Sequence, residues 1–162
     1  MEKIPSHCSE ENHQHCIDHA LAQAEQLCKQ QGLRFTQLRQ RVLELVWQSH
    51  QPMGAYDILE VLSTVDGRRA APPTVYRALD FLLENGLIHR IASLNAFVGC
   101  QHPETPHQGH FFICQLCKSA YEFPHGLIDQ AIAQQAQSID FVVHNHTVEV
   151  AGECAQCRAQ HA

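Results

Sequence analysis

The run Pro72-Pro-Thr-Val-Tyr-Arg-Ala-Leu-Asp-Phe-Leu82 decides how the chain is read. Two prolines suit the first turn of a helix, where a backbone N–H has no intrahelical partner to lose. Val75, Leu79 and Leu82 recur at helical spacing and predict a buried stripe, and Gly86 stops the helix. Tyr76 and Arg77 then fall on the exposed face, next to Thr74. A guanidinium fork displayed from a helix matches the O6/N7 edge of guanine in the major groove.

Upstream, Thr36 caps a predicted helix with Leu38, Val42, Leu45 and Val46 on one face, ending near Ser49. A second runs from Ala55 to Thr64 with Ile58, Leu59 and Leu62 inward. Downstream, Leu87–Ile91 and Ala96–Cys100 read as two paired strands. Three helices followed by a hairpin predict a winged helix-turn-helix DNA-binding domain. The 55–64 helix would cross the DNA and the 73–85 helix would enter the groove. An additional helix is expected from Asp18 to Gln31, stopped by Gly32, with Leu21, Ala24, Leu27 and Cys28 on its apolar stripe. Cys28 is therefore read as core. Residues 1–17 are polar and carry His7, Cys8, His13, His15 and Cys16, which suggests a disordered tail. The winged helix is assigned to 18–100.

After Gln101-His-Pro-Glu-Thr-Pro, read as a hinge over 101–106, the pattern changes. Cys114-Gln-Leu-Cys117 and Cys154-Ala-Gln-Cys157 each hold two thiols on a tight turn, and together they make a closed four-thiolate set, the usual form of structural zinc. Two disulfides or two unrelated redox pairs are the competing reading. The start Met1-Glu-Lys-Ile-Pro has no apolar signal core, and no stretch approaches a membrane span. A cytoplasmic protein without membrane attachment is expected, and the thiols there stay reduced, which favours the metal. The 36 residues between the knuckles exceed a zinc ribbon, so the ion would clamp a small domain. Strands are expected at His110–Cys114, Ser119–Phe123 and Phe141–Val150, with a helix from Gly126 to Ser138. This α/β unit, 107–162, is small for an independent core, so zinc and dimerisation are expected to support it.

The net charge of −6 argues mildly against nucleic acid, but its distribution does not. Residues 20–92 carry eight Lys and Arg against seven acids, or +1, while the flanks hold the negative balance. Arg34, Arg39, Arg68 and Arg69 are candidates for phosphate contact. Seven of the 13 histidines lie between 89 and 146, around the knuckles. If the hairpin is symmetric about Leu94–Asn95, His89 lies opposite Cys100, at a Cβ separation of about 4.5–5.5 Å that one zinc can bridge. His107 and Glu122 are candidates to complete that site from the second domain. A thiolate in the set favours zinc over manganese or magnesium.

The order of these motifs resembles the ferric uptake regulator family over roughly residues 20–158, and within it the zinc uptake regulators. The resemblance rests on Pro72–Leu82, Ala55-Tyr-Asp-Ile-Leu, Cys100 on the wing, His107 through Cys117, Asn145-His146 and the last knuckle. It implies a homodimeric, zinc-responsive repressor that binds double-stranded operator DNA and controls zinc uptake genes. It also implies two Zn2+ per subunit: a structural ion on Cys114, Cys117, Cys154 and Cys157, and a regulatory ion on His89, Cys100, His107 and Glu122. Tyr56 resembles a residue the family sets against thymine methyls. His110, Asp129 and His146 sit near positions used elsewhere in the family for an additional metal, although His107-Gln-Gly-His110 departs from the family's H-H-x-H run. An iron or peroxide sensor and a zinc buffer or metallochaperone are the competing functions. Neither H-E-x-x-H nor H-x-E…P-C-x-x-C occurs, so an enzyme is not expected.

Overall fold

The structure, a computed structural model, describes residues 13–48, 51–67, 70–123 and 126–160. It is mixed α and β, and it divides into two compact units, Met1–Thr105 and Pro106–Ala162.

The first unit contains α1 (His13–Gln30), α2 (Gln37–Trp47), β1 (Met53–Gly54), α3 (Ala55–Thr64), α4 (Pro72–Glu84), β2 (Ile88–Ile91) and β3 (Ala96–Gly99). Thr36 accepts the Arg39 N–H at the start of α2, and Asp57 accepts the Gly54 N–H at the start of α3. Each contact satisfies an orphan donor of a first turn. Proline opens α4, and Gly86, in the left-handed region at φ 66°, turns the chain into β2. Val42, Leu45, Val46, Ile58, Leu62, Val75, Leu79 and Leu82 form one buried cluster, closed by Leu87, Ile88 and Phe97 from the wing. The stripes expected on the three helices are the ones that meet. The sheet order is β1-β3-β2, antiparallel throughout. The two-residue β1 carries no periodic signal and was invisible in the sequence.

Two boundaries in this unit differ from expectation. The helix expected from Asp18 begins at His13, so residues 13–17 are not a tail. The apolar stripe extends a turn earlier through buried Ile17, and Asp18 accepts from the Gln14 side chain within the helix instead of capping it. The expected tail before His13, including His7 and Cys8, lies outside the described residues, as do Arg68 and Arg69.

The second difference is the wing register. His89 pairs with Val98, not Cys100. A 3-10 turn over Ala92–Leu94 and left-handed Asn95, at φ 48°, close the hairpin one residue earlier on each strand. Cys100 is opposite Leu87, to whose carbonyl it donates its N–H at 3.1 Å. The shift is even in total, so pleat parity is kept, and His89 and Cys100 remain diagonal neighbours on one face.

The second unit contains β4 (His110–Cys114), β5 (Ala120–Glu122), α5 (Gly126–Ser138), β6 (Val148–Gly152) and α6 (Ala155–Gln160). β4 is central, antiparallel to β5 and parallel to β6. The strand expected from Phe141 begins only at Val148, because residues 141–147 have no neighbouring strand among the described residues. α6, which starts inside the second knuckle, was not expected. Leu127, Ile139, Phe141 and Val142 are exposed, so much of this unit's apolar surface is not covered by its own chain.

Leu79→Ala in the first-unit core should destabilise that unit by about 2–5 kcal/mol. Urea unfolding followed by Trp47 fluorescence would measure it, with zinc content unchanged.

Candidate metal centres and nucleic-acid face

Cys114 ends β4, Cys117 follows on the turn, Cys154 lies just beyond β6, and Cys157 is on α6. The parallel register Cys114↔Gly152 brings the two knuckles together. The four sulfurs lie within 4.8 Å of one another, and the Sγ atoms of Cys117 and Cys154 are 3.9 Å apart. Tetrahedral zinc with Zn–S of roughly 2.3 Å separates sulfurs by about 3.8 Å, so the set has the right size.

The protonation pattern also fits a cation. The backbone N–H groups of Cys117 and Cys154 push the Cys114 thiol down to about 6. Ser119, whose Oγ lies 3.3 Å from Cys117 Sγ, pulls that thiol below its usual range. Cys157 is pushed up to about 12, first by its hydrogen bond with Cys154, then by burial and by the neighbouring sulfurs. A tight group of sulfurs resists carrying several negative charges without a counter-ion, and a divalent cation removes that conflict.

In the first unit, a ring nitrogen of His89 and the buried Cys100 Sγ come within 4.8 Å. In the second, His107 Nε2 lies 2.7 Å from Glu122 Oε1, with both side chains largely buried. Glu122 reaches this position because β5 pairs it with Phe111. Each pair offers two donors of the mixed N, S and O type that zinc accepts.

His110, Asp129 and His146 also converge. His146 Nε2 is 2.7 Å from Asp129 Oδ1, and His110 Nε2 is 3.2 Å from both Asp129 Oδ1 and His146 Nε2. Two zinc-bound nitrogens in a tetrahedron lie roughly 3.3 Å apart. β4, α5 and the segment before β6 supply one residue each, and His110 is fully buried. Exposed His102 lies 3.9 Å from Glu104, and His144 is exposed outside this cluster.

Most of the candidate DNA-facing residues are exposed. Thr74, Tyr76 and Arg77 are exposed on α4, Tyr56 is exposed at the start of α3, and Arg34 is exposed before α2. Arg39 differs from a free phosphate contact. Its guanidinium lies 3.5 Å above the Phe81 ring and donates to the Arg34 carbonyl, tying α2 to α4. The sequence reading missed Arg41, which forks onto Asp66 at 2.7 and 2.8 Å and also reaches Glu44. Only the Arg41-x-x-Glu44 spacing hinted at it.

The ferric uptake regulator family model matches residues 30–151. The chain belongs to the ferric uptake regulator family. It is 38% identical over 138 residues to the zinc uptake regulation protein of Escherichia coli strain K12, covering 85% of this chain and 80% of that one. Among solved structures, it resembles a zinc uptake regulator complexed with zinc and DNA at TM-score 0.84 and 36% identity, covering 90% of this chain and 97% of that one. Holo XcZur aligns at TM-score 0.79 and 39% identity, covering 88% and 99%. The fold is thus the family's winged helix joined to an α/β unit with a four-cysteine zinc centre. Among the described residues, no helix is long and apolar enough to cross a membrane.

Zinc loading of the four-cysteine centre should release protons at neutral pH, because Cys157 holds its proton in the metal-free state. Titration in weak buffer with a pH indicator would detect them. Cys154→Ser should lose one zinc per chain and unfold the second unit, seen by metal analysis and proteolysis.

Proposed function

We propose that the chain is a zinc-responsive transcriptional repressor that acts in the cytoplasm as a homodimer on double-stranded operator DNA and controls zinc uptake genes. The observation that carries this reading is the imidazole–thiol pair His89 and Cys100 on the wing of a DNA-reading unit. A thiol there favours zinc and weakens the iron or peroxide alternative. A buffer or metallochaperone would have no use for an α4 that displays Tyr76 and Arg77. The chain is a regulator and not an enzyme.

Regulatory zinc is held by His89 and Cys100 from the first unit and by His107 and Glu122 from the second. Bound there, it supplies a strong crosslink between donors that the 101–106 hinge otherwise leaves free to separate. The winged helix over 18–100, with α1 extended to His13, is the reading part, and 107–162 is the dimerising part. The crosslink fixes two reading parts at a spacing that fits operator half-sites, about 34–36 Å apart or a multiple of it. The exposed apolar residues Leu127, Ile139, Phe141 and Val142 support dimerisation, since a second copy would cover them. The four-cysteine ion stays bound throughout. His110, Asp129 and His146 form a third zinc-capable position. Arg77 and Tyr76 read base edges, Tyr56 meets thymine methyls, Thr74 and Arg34 meet phosphates, and Arg39 braces α4 from α2.

The test is titration of free zinc against a fluorescent duplex carrying the upstream region of a zinc-importer gene, repeated with iron(II) and manganese(II). Zinc should tighten DNA binding by about 5–150-fold. DNA should tighten zinc binding by the same factor. Cys100→Ser should abolish the response while the four-cysteine zinc is retained. Tight DNA binding after removal of all but that zinc would overturn the proposal, as would a stronger response to iron. Arg77→Ala should cost about 1–3 kcal/mol and relax specificity. An affinity loss with preference intact would reassign Arg77 to phosphate.

A further inference from the structure

Trp47, the chain's one tryptophan, is the last residue of α2. Its ring lies against Gly99, the last residue of the wing strand β3. A Cβ at position 99 would clash with the ring, lying 2.2 Å from Cε2, 2.3 Å from Nε1 and 2.7 Å from Cδ2. Real Cβ contacts essentially never come so close, so only glycine fits beneath this indole. The indole N–H is buried without a hydrogen-bond partner among the described residues. Trp N–H usually finds a partner when buried, so shape rather than polarity holds the ring here.

The next residue is Cys100. Its backbone is fixed on one side by the rung to the Leu87 carbonyl. On the other side, the preceding residue, Gly99, lies against the Trp47 ring. We propose that Trp47 is a positioning residue for the Cys100 thiolate, docking the end of the wing strand on α2 so that the sulfur is aimed before zinc arrives. This rests on the assignment of Cys100 as a regulatory ligand. It further implies that occupancy of the site is felt at the end of α2, the helix that Arg39 ties to α4 through Phe81.

The geometry of a metal ligand depends on the residues that orient it, and losing such a partner typically costs about 10–100-fold in metal affinity. The experiment uses the full chain with zinc retained in the four-cysteine centre. Zinc affinity is measured by chelator competition, and cobalt(II) is added separately to read the thiolate-to-cobalt charge-transfer band. Trp47→Ala should weaken zinc binding about tenfold and diminish or shift that band, while Trp47→Phe should restore most of both. A merely structural role would lower the melting temperature of the apoprotein and leave the band of the folded protein unchanged. If Trp47→Ala does not fold, Trp47→Leu and Trp47→Phe carry the same comparison. Wild-type affinity and band in the tryptophan variants, with both lost in Cys100→Ser, would overturn the role of Trp47 and leave the metal assignment standing. Wild-type affinity and band in Cys100→Ser would overturn both.

Discussion

A single five-residue strand organises the second unit. β4 is paired on both edges, and each register delivers a different set of potential metal donors. Pairing with β5 sets Glu122 beside Phe111, within reach of His107. Parallel pairing with β6 sets His110 beside Val148, close to His146, and Cys114 beside Gly152, close to Cys154. A one-residue slip would turn every side chain of β4 to the other face and separate all three groups. The unit has little apolar core of its own, so its geometry depends on backbone pairing and on the sulfurs at the end of the strand.

The first unit depends on a different constraint, three amphipathic helices that share one cluster around Leu45, Ile58 and Leu79. The wing joins that cluster through Ile88 and Phe97. Its other face carries His89 and Cys100, so metal donors and packing residues alternate along the same two strands. A helix that displays Tyr76 and Arg77 is therefore braced by a sheet that also carries two potential metal donors. Arg39 over Phe81 and Trp47 over Gly99 link α2 to each of them.

Much of this was legible in the sequence, because periodicity and cysteine spacing are local signals. The stripes of α2, α3 and α4 and the Cys-x-x-Cys knuckles needed no knowledge of what lay opposite. What the sequence concealed was pairing. The register of the wing turned on a 3-10 turn and on left-handed Asn95, which hydrophobic alternation does not encode. Residues 141–147 have strand composition but no partner strand among the described residues. β1 was too short to show a period, and the start of α1 was obscured by histidines whose polarity resembles a tail. His89 and Cys100 stay within reach of each other despite the register error, because a slip of two residues preserves the face. Arg39 looked like a free charge in sequence, and only the fold supplied the aromatic ring beneath it.

The parallel pairing of β4 with β6 also bears on synthesis. A strand near residue 112 cannot gain its second neighbour until residue 150 has left the ribosome, and the last sulfur follows seven residues later. The helices of the first unit have all their partners much earlier, and domains generally fold as units during translation, N-terminal first. The first unit can thus be formed while the second is still waiting for the last cysteines and a metal ion. On the proposed function, zinc supply then acts on this protein twice, first on whether a nascent chain matures and later on its grip on DNA.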